Sequence, residues 1–197
     1  MATVLTERYR AQQIALRAQT MREVARLWPA LNLTELARTY PALVTALSSV
    51  VDRDRARAAD LAGVYLQRSK VAAGVRFPLE VLLAGPADPT QVETALRVTS
   101  AVAVKKATGR GVALEVAGRL ALVQTAGAVS RLVLDAGRET VLETVRREPR
   151  AGWQRVTSGR SCDFCQMLAG RGAVYSEDSS SFQSHDSCGC SAEPVFR

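Results

Sequence analysis

Apolar positions recur every three or four residues over most of the first 150, the spacing of helices that bury one face. Ile14, Ala18, Met21, Ala25 and Trp28 predict a first helix over 3–28, with Arg10, Gln13, Arg17 and Arg22 mostly off its buried face. Trp28-Pro29 ends it, because proline disfavours the helical state of the residue before it. Asn32 and Glu35 stand at capping-box spacing, which predicts a short helix from Leu33 that stops before Pro41. Pro41 then opens the next helix, buried through Val44, Leu47, Val51, Ala58, Leu61 and Tyr65 and stopped near Gly74. Within it, the alternating signs of residues 52–57 predict an exposed face.

Residues 75–87 contain Pro78, Gly85 and Pro86 and read as a connector. Asp88 caps the following helix, with Pro89 in its first position and Gln91 able to reach back; the helix runs to about Lys106. Gly109-Arg110-Gly111 breaks it. From Val112 to about Glu148 the period is helical again, although Gly118, Gly127 and Gly137 each cost ~1 kcal/mol inside a helix. That stretch is either two helices or one helix packed closely against a neighbour.

The pattern changes after Gly152. Trp153–Val156 alternates as a strand does, Ala173–Tyr175 and Pro194–Phe196 are further short strand candidates, and serine-rich 176–184 reads as a loop. This tail offers no amphipathic helix of useful length and is too small to build a core alone, so it needs a staple or a body to dock on. The expected fold is mainly α: a helical body over 1–148, then a small α+β C-terminal module over 149–197, stapled by zinc.

Composition agrees. Aromatic residues make up only 5% of the 197, so alanine, valine and leucine must fill the core, which favours helices over a sandwich. The net charge is +7, unevenly placed: residues 1–150 carry 22 basic and 14 acidic side chains, residues 151–197 four and five. A basic body can sit near nucleic acid, but no run of five like charges occurs and solvated helix faces account for most of the excess. Glu7, Arg8 and Arg10 interrupt any N-terminal signal region, and the longest charge-free stretch, Thr39–Val51, is too short to span a bilayer. A soluble chain in a reducing cytosol is expected, where cysteines are thiols or metal ligands rather than disulfides.

The candidate chemistry is confined to one segment. All four cysteines and the single histidine lie between 162 and 190, as Cys162-Asp-Phe-Cys165, then His185-Asp-Ser-Cys188-Gly-Cys190. Zinc takes four such ligands in a tetrahedron, and five candidates are present: Cys162, Cys165, His185, Cys188 and Cys190. Four of them would hold a structural zinc and one would be spare. Disulfides or a metal-free thiol cluster, a redox pair and a catalytic metal are the rival readings. A redox Cys-x-x-Cys would open a helix in a βαβ setting, which the pattern lacks. The only histidine is flanked by cysteines, so no serine or cysteine hydrolase site is available, and no phosphate-binding glycine loop occurs. The chain is therefore expected not to be an enzyme.

The order of these elements also carries a resemblance. Gly152-Trp153-Gln-Arg155-Val156, the Cys162–Tyr175 segment, His185-Asp-Ser-Cys188-Gly-Cys190 and Glu193-Pro194-Val195-Phe196 resemble the C-terminal module of MuF-like minor head proteins of tailed bacteriophages, the actinobacteriophage type in particular. Gly137-Arg138-Glu139-Thr140 is similar to the helix leading into that module. The resemblance covers about 45 residues. It implies a minor capsid protein of head morphogenesis, located in the virion and assembled in the bacterial cytoplasm. Its implied partners are portal, capsid and scaffold proteins, with non-specific contact to packaged DNA, no membrane, and room for a homo-oligomer. The alternative is a zinc-ribbon DNA-binding regulatory protein, although the cysteine region carries a net charge of −1.

Overall fold

The computed structural model describes residues 3–157, 162–172, 182, 184–186 and 188–197. Its core is built from three long helices: α1 (Val4–Leu27), α2 (Leu36–Ala72) and α5 (Leu114–Arg146), each in contact with the other two. A single 3₁₀ turn, Trp28–Ala30, ends α1 at the expected Trp-Pro step. Helices α3 (Pro89–Arg97) and α4 (Ala103–Thr108) cover one end of the bundle, where Leu31, Leu47, Val92, Leu96, Val104 and Val129 share a core. At the other end a two-stranded antiparallel sheet, β1 (Ala151–Val156) with β2 (Ser191–Phe196), lies on α5. There Tyr9, Leu66, Val141, Val145, Trp153 and Ala192 form a second core that includes residues of both body and tail. The fold is thus mainly α with a small C-terminal sheet, as expected. Among the described residues, no helix is long and apolar enough to cross a membrane.

Several expectations are corrected. The buried stripe of α1 is Thr6, Tyr9, Arg10, Gln13, Leu16, Thr20 and Val24, while Ile14 is 57% exposed. Apolar periodicity misplaced this face because four of these seven buried residues are polar, three of them held by hydrogen bonds to other buried side chains. Thr6 Oγ1 bonds the Tyr65 hydroxyl at 2.7 Å, Gln13 Nε2 donates to Tyr9 at 2.7 Å, and Thr20 Oγ1 donates to Asp54 at 2.8 Å. Residues 52–57 are likewise not one exposed face. Asp54 is fully buried between Thr20, Arg53 and Arg57, and Arg55 donates to the Leu132 carbonyl at 2.7 Å and to Glu139 at 2.6 Å. Alternating charge along a helix places every other pair on different faces, so one acid and one base of the run turn inward and find partners there.

Pro41 does not start a helix; it lies inside α2. It falls just after the first turn, so it removes only one early hydrogen bond and the helix continues. Asn32 does not cap a helix at Leu33. Its Oδ1 accepts from the Thr34 amide at 3.0 Å, an Asx turn that delays the start to Leu36. The other end of α2 behaves as predicted: Gly74 has φ +68°, its amide bonds the Val71 carbonyl, and the Val75 amide bonds the Lys70 carbonyl, a Schellman stop. The helix from Pro89 is interrupted by a π-helical turn, Val98–Val102, where the Ser100 hydroxyl bonds back to the Leu96 carbonyl at 2.5 Å. The connector is strapped to α5, whose Thr144 and Thr140 hydroxyls accept from the amides of Leu82 and Ala84, both at 3.0 Å.

Residues 114–146 form one helix, and Gly118 and Gly137 mark close approach. A Cβ on Gly137 would lie 2.6 Å from the Tyr9 hydroxyl oxygen and 3.3 Å from the Ala58 carbonyl oxygen; one on Gly118 would meet only the tip of Leu33. Tyr9 cannot yield, because its ring stacks on Tyr65 at 4.4 Å and it holds Gln13. Gly137→Ala is therefore expected to destabilise by about 1–3 kcal/mol despite the better helix former. Gly118→Ala should be neutral or stabilising, by up to about 1 kcal/mol. Paired denaturant titrations check both signs.

Candidate metal centre

Strand pairing assembles the site. Val156, the last residue of β1, pairs with Ser191, the first of β2, so the segment leaving β1 lies beside the segment entering β2. Cys162 stands on the first side and Cys188 and Cys190 on the other. Helix α6 (Asp163–Gly170), absent from the sequence expectation, starts at Cys162 and turns Cys165 inward on its first turn. The Cys-x-x-Cys thus does open a helix, but beside a two-stranded antiparallel sheet rather than in a βαβ unit. The strand expected at Ala173–Tyr175, and residues 176–181 and 183 of the expected loop, lie outside the described residues.

All five predicted side chains converge. The ligand atoms of Cys162, Cys165 and His185 lie within 4.8 Å of one another, as do those of Cys165, Cys188 and Cys190. His185 Nε2 is 3.2 Å from Cys162 Sγ and 3.7 Å from Cys165 Sγ, and Cys165 Sγ is 3.9 Å from Cys188 Sγ. Sulfur ligands bonded at ~2.3 Å in a tetrahedron stand about 3.8 Å apart, so these separations suit donors within each triad, the two triads sharing Cys165. They are too long for a disulfide, and all four cysteines are free. His185 Nδ1 is 2.8 Å from the Asp186 carbonyl; donating there places the ring's lone pair on Nε2, facing the sulfurs. The donor set can therefore hold a metal ion.

Cys165, Cys188 and Cys190 are buried, and Cys162 is exposed. Each thiol's readiness to ionise follows from its neighbours. The Cys165 amide, then His185, lower the Cys162 pKa. Burial pushes Cys165 up to about 11. The Cys190 thiol lowers Cys188 by hydrogen bonding, aided by the charge of Arg138, and Cys190 is raised in return. The Asp186 carbonyl, then Cys162, raise His185.

Beneath the cluster lies a layer that the cysteine spacing did not assign. Arg138 of α5, 2% exposed, donates from Nε to the Cys190 carbonyl at 3.1 Å and from Nη2 to the Cys188 carbonyl at 3.0 Å. Its third branch meets Asp135 at 2.5 Å. Phe182 lies between Arg138 and Arg155, whose guanidinium carbons are 5.0 and 3.7 Å from the ring centre. Arg155 Nη1 also approaches Cys165 Sγ at 4.0 Å. Asp135 accepts from the Ser184 hydroxyl at 2.8 Å, and Arg131 donates to Asp186 at 2.8 Å. Arg138 stands between Asp135 and Glu139 in the sequence like an ordinary surface ion-pair residue, and its partners here include two backbone carbonyls, which leave no side-chain signature.

No curated protein and no solved structure matches the chain. One family model, VG15 protein, matches residues 2–197, helical body and cysteine-bearing tail alike. The chain belongs to the VG15 protein family, a viral family.

Proposed function

We propose that this chain is a structural, non-catalytic minor capsid protein of a tailed phage, of the MuF-like actinobacteriophage type. In this reading one structural zinc, held by four of the five candidate ligands, staples the C-terminal module. The helical body docks on portal, capsid or scaffold protein within the head, and its basic surface accommodates packaged DNA. The observation that carries the reading is the seating of the cysteine loop on buried Arg138: the cluster's backbone is spent on joining tail to body, the arrangement of a staple rather than of a reaction site. The viral family match over nearly the whole chain supports the setting.

Proteomics of purified virions, together with co-purification from infected cells, tests this. The chain is expected in particles at low copy number and in complexes with portal protein, and Cys165→Ser should block its incorporation. Recovery only from host cytosol, bound to duplex DNA with sequence preference at moderate salt, would overturn the head-protein reading in favour of a regulator.

A further inference from the structure

At the C-terminal end of α2, where β2 runs on from Cys190, lies a cavity of about 190 Å³. Glu193 of β2 lines it, 5% exposed; its Oε2 is sealed from solvent, and neither carboxylate oxygen has a hydrogen-bond partner among the described residues. No arginine or lysine of the described residues pairs with this carboxylate. Tyr65 also lines the cavity, its hydroxyl already bonded to Thr6. The remaining walls are largely apolar, among them Leu5, Pro194 and Phe196, and the rim includes Ala73, the C-cap of a 37-residue helix. The end of such a helix carries partial negative charge on its last carbonyls.

We propose that this cavity binds a primary alkylammonium group. A largely buried carboxylate without a donor is costly, and a cation that donates a hydrogen bond to its accessible oxygen relieves its charge. The helix end adds attraction of the same sign. The apolar walls suit a methylene chain, which long amine side chains bury while the head stays polar. At ~30 Å³ per water-sized group, the cavity has room for about six, enough for a four-carbon amine. This site uses none of the five candidate zinc ligands and does not depend on the head-protein reading.

The test is an NMR titration of the full chain with n-butylammonium chloride, sodium chloride being withdrawn to hold ionic strength constant. Saturable shifts confined to Leu5, Tyr65, Ala73 and Glu193 are expected, weakened about tenfold or more in Glu193→Gln. That variant is nearly isosteric, and unchanged amide spectra elsewhere confirm its fold. Absence of saturable shifts in the wild-type chain would overturn the proposal. So would equal binding by Glu193→Gln, or equal binding of neutral 1-butanol. N-acetyl-lysine methylamide binding as n-butylammonium does would assign the ammonium to a partner protein's lysine. Its exclusion, with 1,4-diaminobutane retained, would assign the site to free amines.

Discussion

Arg138→Met will release the cysteine loop from helix α5 and cost about 3–5 kcal/mol of stability. The side chain is 2% exposed and serves three acceptors: the Cys188 and Cys190 carbonyls and Asp135. Methionine fills much of the volume but leaves the two buried carbonyls without this donor, each at its desolvation cost, while Asp135 keeps Ser184 and Arg131. Against a total stability of about 5–15 kcal/mol for a domain, the loss is large. Arg138→Lys will recover little, because a single ammonium cannot reproduce a planar fork that reaches two carbonyls and a carboxylate together. Guanidinium chloride unfolding, followed by Trp153 fluorescence, reads the effect directly: the Trp153 ring is 5.6 Å from Phe182 and reports on this layer. A change below about 1 kcal/mol for Arg138→Met would mean that the module docks by other contacts.

Cys165→Ser will weaken zinc binding more than substitution of any other candidate ligand. Cys165 belongs to both groups of converging donors and is 1% exposed, whereas Cys162 belongs to one and lies at the surface. Loss of an outer-shell partner costs 10–100-fold in metal affinity, so removal of this shared inner ligand should cost more than about 100-fold. Competition with a chromophoric chelator ranks the variants; Cys162→Ser matching or exceeding Cys165→Ser would contradict the ordering. Affinity also depends on pH in a defined direction. The Asp186 carbonyl raises the pKa of His185, and a protonated imidazole cannot ligate. At fixed free zinc, uptake should therefore be strongest above the raised His185 pKa and weaken as pH falls through it, with protons released on binding.

The long helices were legible because their apolar period is strong, and the stop at Gly74 because only a residue comfortable at φ +68° completes that turn. The face of α1 was not, because hydrogen bonds from Thr6, Gln13 and Thr20 replace apolar contacts, and hydropathy cannot distinguish a satisfied polar residue from a solvated one. Asp54 and Arg55 escaped for the same reason. Pro41 misled because its cost depends on where in the helix it falls, which depended on an Asx turn at Asn32. At the site, all five ligand candidates could be read from residue type and spacing. Arg138 and Arg155 could not be assigned a role, since one bonds backbone carbonyls and both lie over a phenylalanine, relations created only when β1 and β2 bring distant segments together.

If a bound zinc ion ties the C-terminal module to the helical body, the metal content of the purified, reduced protein will show it. One zinc per chain is expected. Its removal by a chelator should abolish the near-ultraviolet signal of Trp153 and expose four reactive thiols while helical circular dichroism persists. A metal-free chain with four free thiols, and a Trp153 signal indifferent to added zinc and to chelator, would contradict such a tie.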